Sequence, residues 1–356
     1  MSSLQISLAI IGGVVLAGVV AHSAWSARKN QPKRATPEVA PQPEAGQGQA
    51  AEPSDSAERQ EPRFDADGGA SLAPLSRMMA LEKKPGLDAL IDVIAPVVIE
   101  SVVSGEAALV AMPTTRRVGS KPFGVEGLSV AKNEWEFPAA GQRYSAFQCG
   151  VQLANRVGAL NQIEYSEFVI KAQAFADAIG GEPEFPEMLD EVARARELDQ
   201  FASAHDAQLS FTLRAIHTAW SPGYVQQRAA RLGFVAGSIP GRMVLPASQQ
   251  GGAPMLGLSF DTQAAMAEDP EQTALREVTL SLDVPQVLRS EQPFVRMRES
   301  AIALAASMDG IIIDDNGNVI HVDAMDVIGS ELEQLYDTLD ERDLSAGSAL
   351  ARRLFS

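Results

Sequence analysis

Apolar positions along this chain follow three regimes. Residues 4–25, LQISLAIIGGVVLAGVVAHSAW, are apolar almost throughout and contain no Asp, Glu, Lys or Arg. From about residue 30 to 86 the pattern breaks into Pro, Gln, Ala, Glu and Ser, with almost no aromatics. Beyond residue 87 apolar residues return with the periods of strands and helices.

The first regime predicts a membrane anchor over residues 1–28. About 22 apolar residues at 1.5 Å each span roughly 30 Å, the hydrocarbon thickness. Trp25 ends the run, where an amphipathic ring suits the headgroup zone, and Arg28, Lys29, Lys33 and Arg34 follow. No Lys or Arg precedes it, so the positive-inside rule places the bulk of the chain in the cytoplasm as a single-pass inner-membrane protein. A cleaved signal peptide would carry its charge ahead of a shorter apolar core. The second regime, residues 29–86, predicts a disordered Pro/Gln/acidic linker, because it has too little apolar area to offset its ordering entropy. A spacer of about 55 residues would hold a folded part tens of ångströms from the bilayer. Residues 72–81 are more apolar and fit either docking on the folded part or a short helix.

The third regime predicts two similar modules, 87–204 and 205–342, and a C-terminal tail, 343–356. Residues 90–100, LIDVIAPVVIE, read as a central strand. Strands at 135–138 and 144–153 flank the turn signal Ala140-Gly141. A helix over 166–179 carries Ala172, Phe175, Ala176 and Ile179 on one face, Gly180-Gly181 ends it, and a second helix covers 187–204. The order then returns. A strand at 209–215 precedes a helix opened by Pro222-Gly223, strands from Phe234, at 254–260 and at 276–284, and a helix over 293–308. A hairpin over 311–320 turns at Asp314-Asp315-Asn316-Gly317, and a last helix carries Met325, Ile328, Leu332, Leu335 and Leu339. One constant shift superposes Ala172, Phe175, Ala176, Ile179 and Gly181 on Ala301, Leu304, Ala305, Met308 and Gly310. Strand hairpins with grouped helices predict an α+β fold, each module a mostly antiparallel sheet covered by helices on one face.

Composition removes several function classes. The 356 residues carry 46 Asp and Glu against 29 Lys and Arg, a net charge of −17, which argues against nucleic acid held on a broad basic surface. Cys149 is the only cysteine, so no disulfide framework or cysteine zinc site is available. Phosphate-loop, dinucleotide, HExxH and CxxC patterns are absent. The 314–318 segment lacks the ligand order of a calcium loop and reads as an Asn-Gly hairpin turn. His205, His217 and His321 are scattered. Glu187, Asp190, Glu191 and Glu197 read as a solvated helix face, as do Glu333, Asp337 and Asp340, and Trp220 as a packed aromatic before a helix start. The expectation is a protein with no enzymatic activity, no cofactor and no metal.

Pro222-Gly223, Gly233-Phe234, Gly237, Val284-Pro285, Phe294, Met297, Ser300-Ala301, Ala305, Gly310 and Asp314-Asp315 occur in an order and spacing that resemble the C-terminal FtsZ-binding domain of the ZipA-like cell-division proteins, over about residues 207–340. The layout of anchor, Pro/Gln-rich linker and domain is similar too. The resemblance implies a noncatalytic cytoplasmic domain that binds the C-terminal tail peptide of FtsZ on an open sheet face and tethers the division ring to the inner membrane. It implies Ile239, Thr279 and Ser281 as partner-binding residues. Two features depart from that family. Residues 87–204 form an additional, diverged copy. The open face of the second module also reads as polar, because Val278, Leu280, Leu282 and Val284 alternate with Thr279, Ser281 and Asp283, while Leu209, Phe211 and Leu213 alternate with Ser210, Thr212 and Arg214. The competing expectation is an envelope scaffold whose two modules bind another protein or each other.

Overall fold

Residue 92 begins the strand around which the first half of the folded region is organised. In this computed structural model β1 (Asp92–Ile99) buries Val93, Ala95 and Val97 and exposes Pro96 and Val98, the alternation of a strand with one covered face. The structure describes residues 32–35, 86–249, 251–269 and 272–356. The predicted anchor at 1–28 and nearly all of the predicted linker at 29–86 lie outside the described residues. Among the described residues no helix is long and apolar enough to cross a membrane.

The first half continues through β2 (Val103–Ser104), α1 (Gly105–Ala111), β3 (Arg117–Val118), β4 (Lys121–Ser129), β5 (Trp135–Glu136) and β6 (Arg143–Gln152). A small hairpin, β7 (Ala154–Asn155) and β8 (Gly158–Ala159), leads to α2 (Gln162–Ile179), β9 (Gly181–Pro183) and α3 (Met188–His205). Asn161 and Glu164 form a reciprocal capping box at the start of α2, and Gly180, at φ 67°, ends it in the left-handed conformation. The strands pair in the order β3-β4-β6-β1-β9, antiparallel throughout. Residues 121–129, KPFGVEGLS, escape the strand reading because one Pro and two Gly interrupt the apolar run.

The second half contains β10 (Gln208–Ala215), α4 (Pro222–Ala230), β11 (Val235–Ala236), β12 (Arg242–Leu245), β13 (Leu256–Ser259), α5 (Thr262–Ala265) and β14 (Glu277–Asp283). α6 (Pro293–Met308), β15 (Gly310–Ile313), α7 (Val322–Asp340) and α8 (Ala349–Leu354) follow. Its order is β11-β12-β13-β14-β10-β15, again antiparallel. The two halves are thus both α+β with antiparallel sheets, and they share a core topology. In each, the first strand lies between the last long strand before the long helix, β6 or β14, and the short strand that follows it. Asp92 pairs with Gln152 and Ile99 with Gly181, while Gln208 pairs with Asp283 and Ala215 with Gly310.

The long helices pack on one side of these sheets. Phe147 of β6 meets Phe175 of α2 edge-on at 5.5 Å, and Phe123 of β4 meets Phe168 at 6.2 Å. Phe211 of β10 meets Phe294 of α6 at 6.2 Å, and Met297, Ala301, Leu304 and Met308 are buried beneath the same helix. Trp220 is fully buried, as its sequence position predicts, and its Nε1 donates to Met308 O at 2.8 Å. Glu191, expected on a solvated acidic face, is instead buried and paired with Arg194 at 2.8 Å. Burial raises the Glu191 carboxyl above its ordinary value, and Arg194 opposes the shift.

The segment 343–356 is not a tail. Leu344, Ala346, Ala351, Leu354 and Phe355 are buried, and the carbonyls at its end are held by both halves. Gln152 Nε2 donates to Arg353 O at 2.9 Å, and Gln286 Nε2 donates to Phe355 O at 2.7 Å. A six-residue helix is too short to declare itself by period. Arg353 reaches the buried Asp92, whose carboxyl burial raises and Arg353 lowers again. Arg156 closes the other side of the joint, donating to Asp206 at 2.6 Å and Asp283 at 2.7 Å. One apolar core runs through both halves, which lie in one compact unit. Residue 33 also departs from the linker expectation, since Lys33 forms a parallel bridge with Trp220.

Truncating Arg353→Ala strands the Asp92 carboxylate without its countercharge. Breaking one side of a buried ion pair costs about 3–5 kcal/mol. Urea denaturation of residues 30–356 should show a loss of that order, and a loss below about 1 kcal/mol would mean the C-terminal segment does not hold the joint.

Candidate partner-binding faces

Strand alternation sends every second side chain to the side opposite the helices, and register sorts these side chains into rows across the sheet. In the second half, Thr279 stands opposite Thr212 on one side and Ser259 on the other. Ser281 stands opposite Ser210 and Gly257 in the same way. The neighbouring row pairs Arg214 with Glu277, whose side chains meet at 2.7 Å. Ser210 Oγ donates to Asp315 Oδ1 at 2.9 Å, so the 314–318 turn borders this face. The structure therefore brings Thr279 and Ser281 together on one hydroxyl-rich face. Ile239 lies outside those rows, 47% exposed, in the turn before β12, where its carbonyl accepts from Arg242 N at 3.1 Å.

The corresponding face of the first half differs in chemistry. Ile94 and Gly124 both oppose Gly150, which leaves two adjacent strands without side chains. Leu87 fills that floor. A methyl group on Gly150 would sit 2.5 Å from Leu87 Cδ2, and one on Gly124 would sit 3.4 Å away. Leu87 N donates to Glu126 Oε1 at 3.1 Å, and Gln148 Nε2 donates to Glu126 Oε2 at 2.8 Å. Glu126 is thereby satisfied although only 3% exposed.

Beside Leu87 runs an apolar row. Val97 and Gly127 both oppose Phe147, Val98 and Leu128 follow them, and the β4–β6 register shifts between Gly127 and Ser129, at Leu128. Leu128 pairs with Trp135 of β5. Val98 is 63% exposed and Trp135 39%. Glu182 opposes Val98 at one end, and Glu136 follows Trp135 at the other. The sequence reading placed Val98 and Trp135 in strands but missed the row, because Leu128, which joins them, lies on the interrupted strand β4.

Other places with chemical potential are built differently. A cleft of about 480 Å³ between α6 and α7 is floored by Phe294, Met325, Leu332 and Tyr336. Its rim holds Arg289 against Glu333 and Asp337, so the acidic face predicted on α7 is neutralised in part. His217 Nδ1 lies 3.1 Å from Asp309, while His205 Nδ1 contacts Phe201 O. Cys149 is buried on the helix side of β6, and burial pushes its thiol up to about 12, which leaves it unreactive near neutrality. Among the described residues no cluster of His, Cys, Asp and Glu is placed to hold a metal. No protein-family model and no curated protein sequence matches the chain.

The glycine floor can be tested by a double-mutant cycle. Gly150→Ala should destabilise by displacing Leu87, and the same change on a Leu87→Ala background should cost at least about 0.5 kcal/mol less, the coupling of residues in direct contact. Urea denaturation of the four proteins reads the coupling, and equal penalties in both backgrounds would remove Leu87 as the occupant of that floor.

Proposed function

We propose that this chain is a membrane-anchored, ZipA-like adaptor of bacterial cell division that binds the C-terminal tail of FtsZ and tethers the division ring to the inner membrane. In this reading residues 1–28 anchor the chain, the folded bulk is cytoplasmic, and the two halves are duplicated modules. Binding needs no catalysis, cofactor or nucleic acid. The observation that carries the proposal is a pair of helix-backed antiparallel sheets, each with a face on which an extended peptide can lie. The motif order in residues 207–340 and the shared strand topology of the two halves support it.

The two faces favour different roles. The Val98–Leu128–Trp135 row offers exposed apolar area, the usual source of affinity for a short peptide. The Thr279 and Ser281 face offers hydroxyls, with Ile239 as an apolar contact at its edge. A small interface that must order a flexible tail gives weak affinity, and many tails on one polymer multiply it through avidity. The scaffold alternative draws on one specific observation: the halves already bind each other through Arg156 and the C-terminal segment.

Titration of a labelled FtsZ tail peptide into residues 30–356 is the test. Saturable binding in the micromolar range is expected. Val98→Asp should weaken it by more than about 1 kcal/mol if the first half reads the tail, because a charge would enter buried apolar area. Ile239→Asp, Thr279→Lys and Ser281→Lys should do so if the second half reads it. No saturable binding at hundreds of micromolar would overturn the tether and favour the scaffold.

A further inference from the structure

Lys33 stands eight residues beyond Trp25, the last residue of the apolar span, and it is stitched to the second half of the fold. Its N–H donates to Ala219 O at 2.7 Å, and its carbonyl accepts from Ser221 N at 2.9 Å. Trp220, between those two partners, also bridges Leu275 on its other side, so Lys33 is the outer member of a three-chain ladder. Lys33 Nζ donates to Met308 O at 3.0 Å and lies 3.7 Å from Asp309, and Pro32 is buried beside it. The strap thus closes over the buried Trp220, at the junction where α6 gives way to β15.

We propose that residues 32–35 dock the second module at the bilayer, so that its height above the membrane is set by residues 26–32 and not by the stretch 36–85. The inference rests on the anchor reading of residues 1–28. Eight extended residues reach at most roughly 30 Å, whereas a free coil from residue 26 to 86 would have a root-mean-square span of about 45 Å. With Lys33 docked on the second half and Leu87 docked on the first, residues 36–85 connect two fixed points of one folded unit. Closing a loop of that length costs free energy that grows only slowly with length. Backbone pairing and the Lys33 contacts oppose that cost.

Two measurements test this. The first places a donor dye on Ala306→Cys, an exposed position near the strap, in the full chain reconstituted into vesicles with acceptor-labelled headgroups. The buried native Cys149 stays unlabelled. Inserting a second copy of residues 41–80 should leave energy transfer unchanged, while a 12-residue Gly/Ser insertion after Ser26 should lower it. Lys33→Pro, which removes the N–H donated to Ala219, should also lower it. Transfer that falls with the 41–80 duplication and ignores Lys33→Pro would overturn the strap. The second measurement needs no membrane. Spin labels on Ala35→Cys and Ala306→Cys in residues 30–356 should give a short, narrow distance distribution that Lys33→Pro broadens. A broad distribution in the parent protein overturns the strap by itself. If that distribution is narrow but the full chain does not float with vesicles, the anchor reading has failed and the height assignment fails with it.

Discussion

The placement of the first strand of each half governs the rest of the structure. β1 and β10 each pair with the last long strand before the long helix and with the short strand directly after it. A chain that must return from the helix to the edge of its own first strand has to lay that helix across one face. Phe175 of α2 and Phe294 of α6 sit against Phe147 and Phe211 for this reason. Once that face is filled, the alternating residues of the same strands, apart from the floor that Leu87 covers, meet no second layer among the described residues. Those residues set the chemistry of the opposite face, which is Val98 with Leu128 and Trp135 in one half and Thr279 with Ser281 in the other.

The halves are also bound into one body. Arg156 satisfies carboxylates at the C-cap of α3 and the end of β14, while the C-terminal segment carries Arg353 to Asp92 and its last carbonyls to Gln152 and Gln286. The Arg353–Asp92 pair, whose carboxylate is fully buried, contributes little net stability, but it tolerates one geometry and penalises the loss of either partner. The two sheet faces are therefore held as one unit.

Much of this was legible in the sequence where a single period dominates. The Val- and Ile-rich run of β1, the apolar stripes of α2 and α6, and the alternation through Thr279 and Ser281 each encode burial directly. The features missed are those set by contacts distant in sequence. β4 is held in the sheet by its neighbours despite Pro122, Gly124 and Gly127. Lys33 sits among prolines and charges, and only the groove beside Trp220 makes it a strand residue. The helix of residues 349–354 is too short to show a period, and its burial depends on a crevice between the halves. Glu191 looked like one carboxylate among several, and only the packing of α3 shows that it is buried beside Arg194. The candidate contacts divide similarly: Thr279 and Ser281 share a face as the alternation implies, whereas Ile239 belongs to a turn.

Tethering through the tail of FtsZ is tested most directly by recruitment. Vesicles carrying the full chain, mixed with FtsZ polymers, should bring intact FtsZ to the membrane on flotation and leave FtsZ lacking its C-terminal tail in solution. Equal recruitment of the two forms, or recruitment of neither, would contradict it.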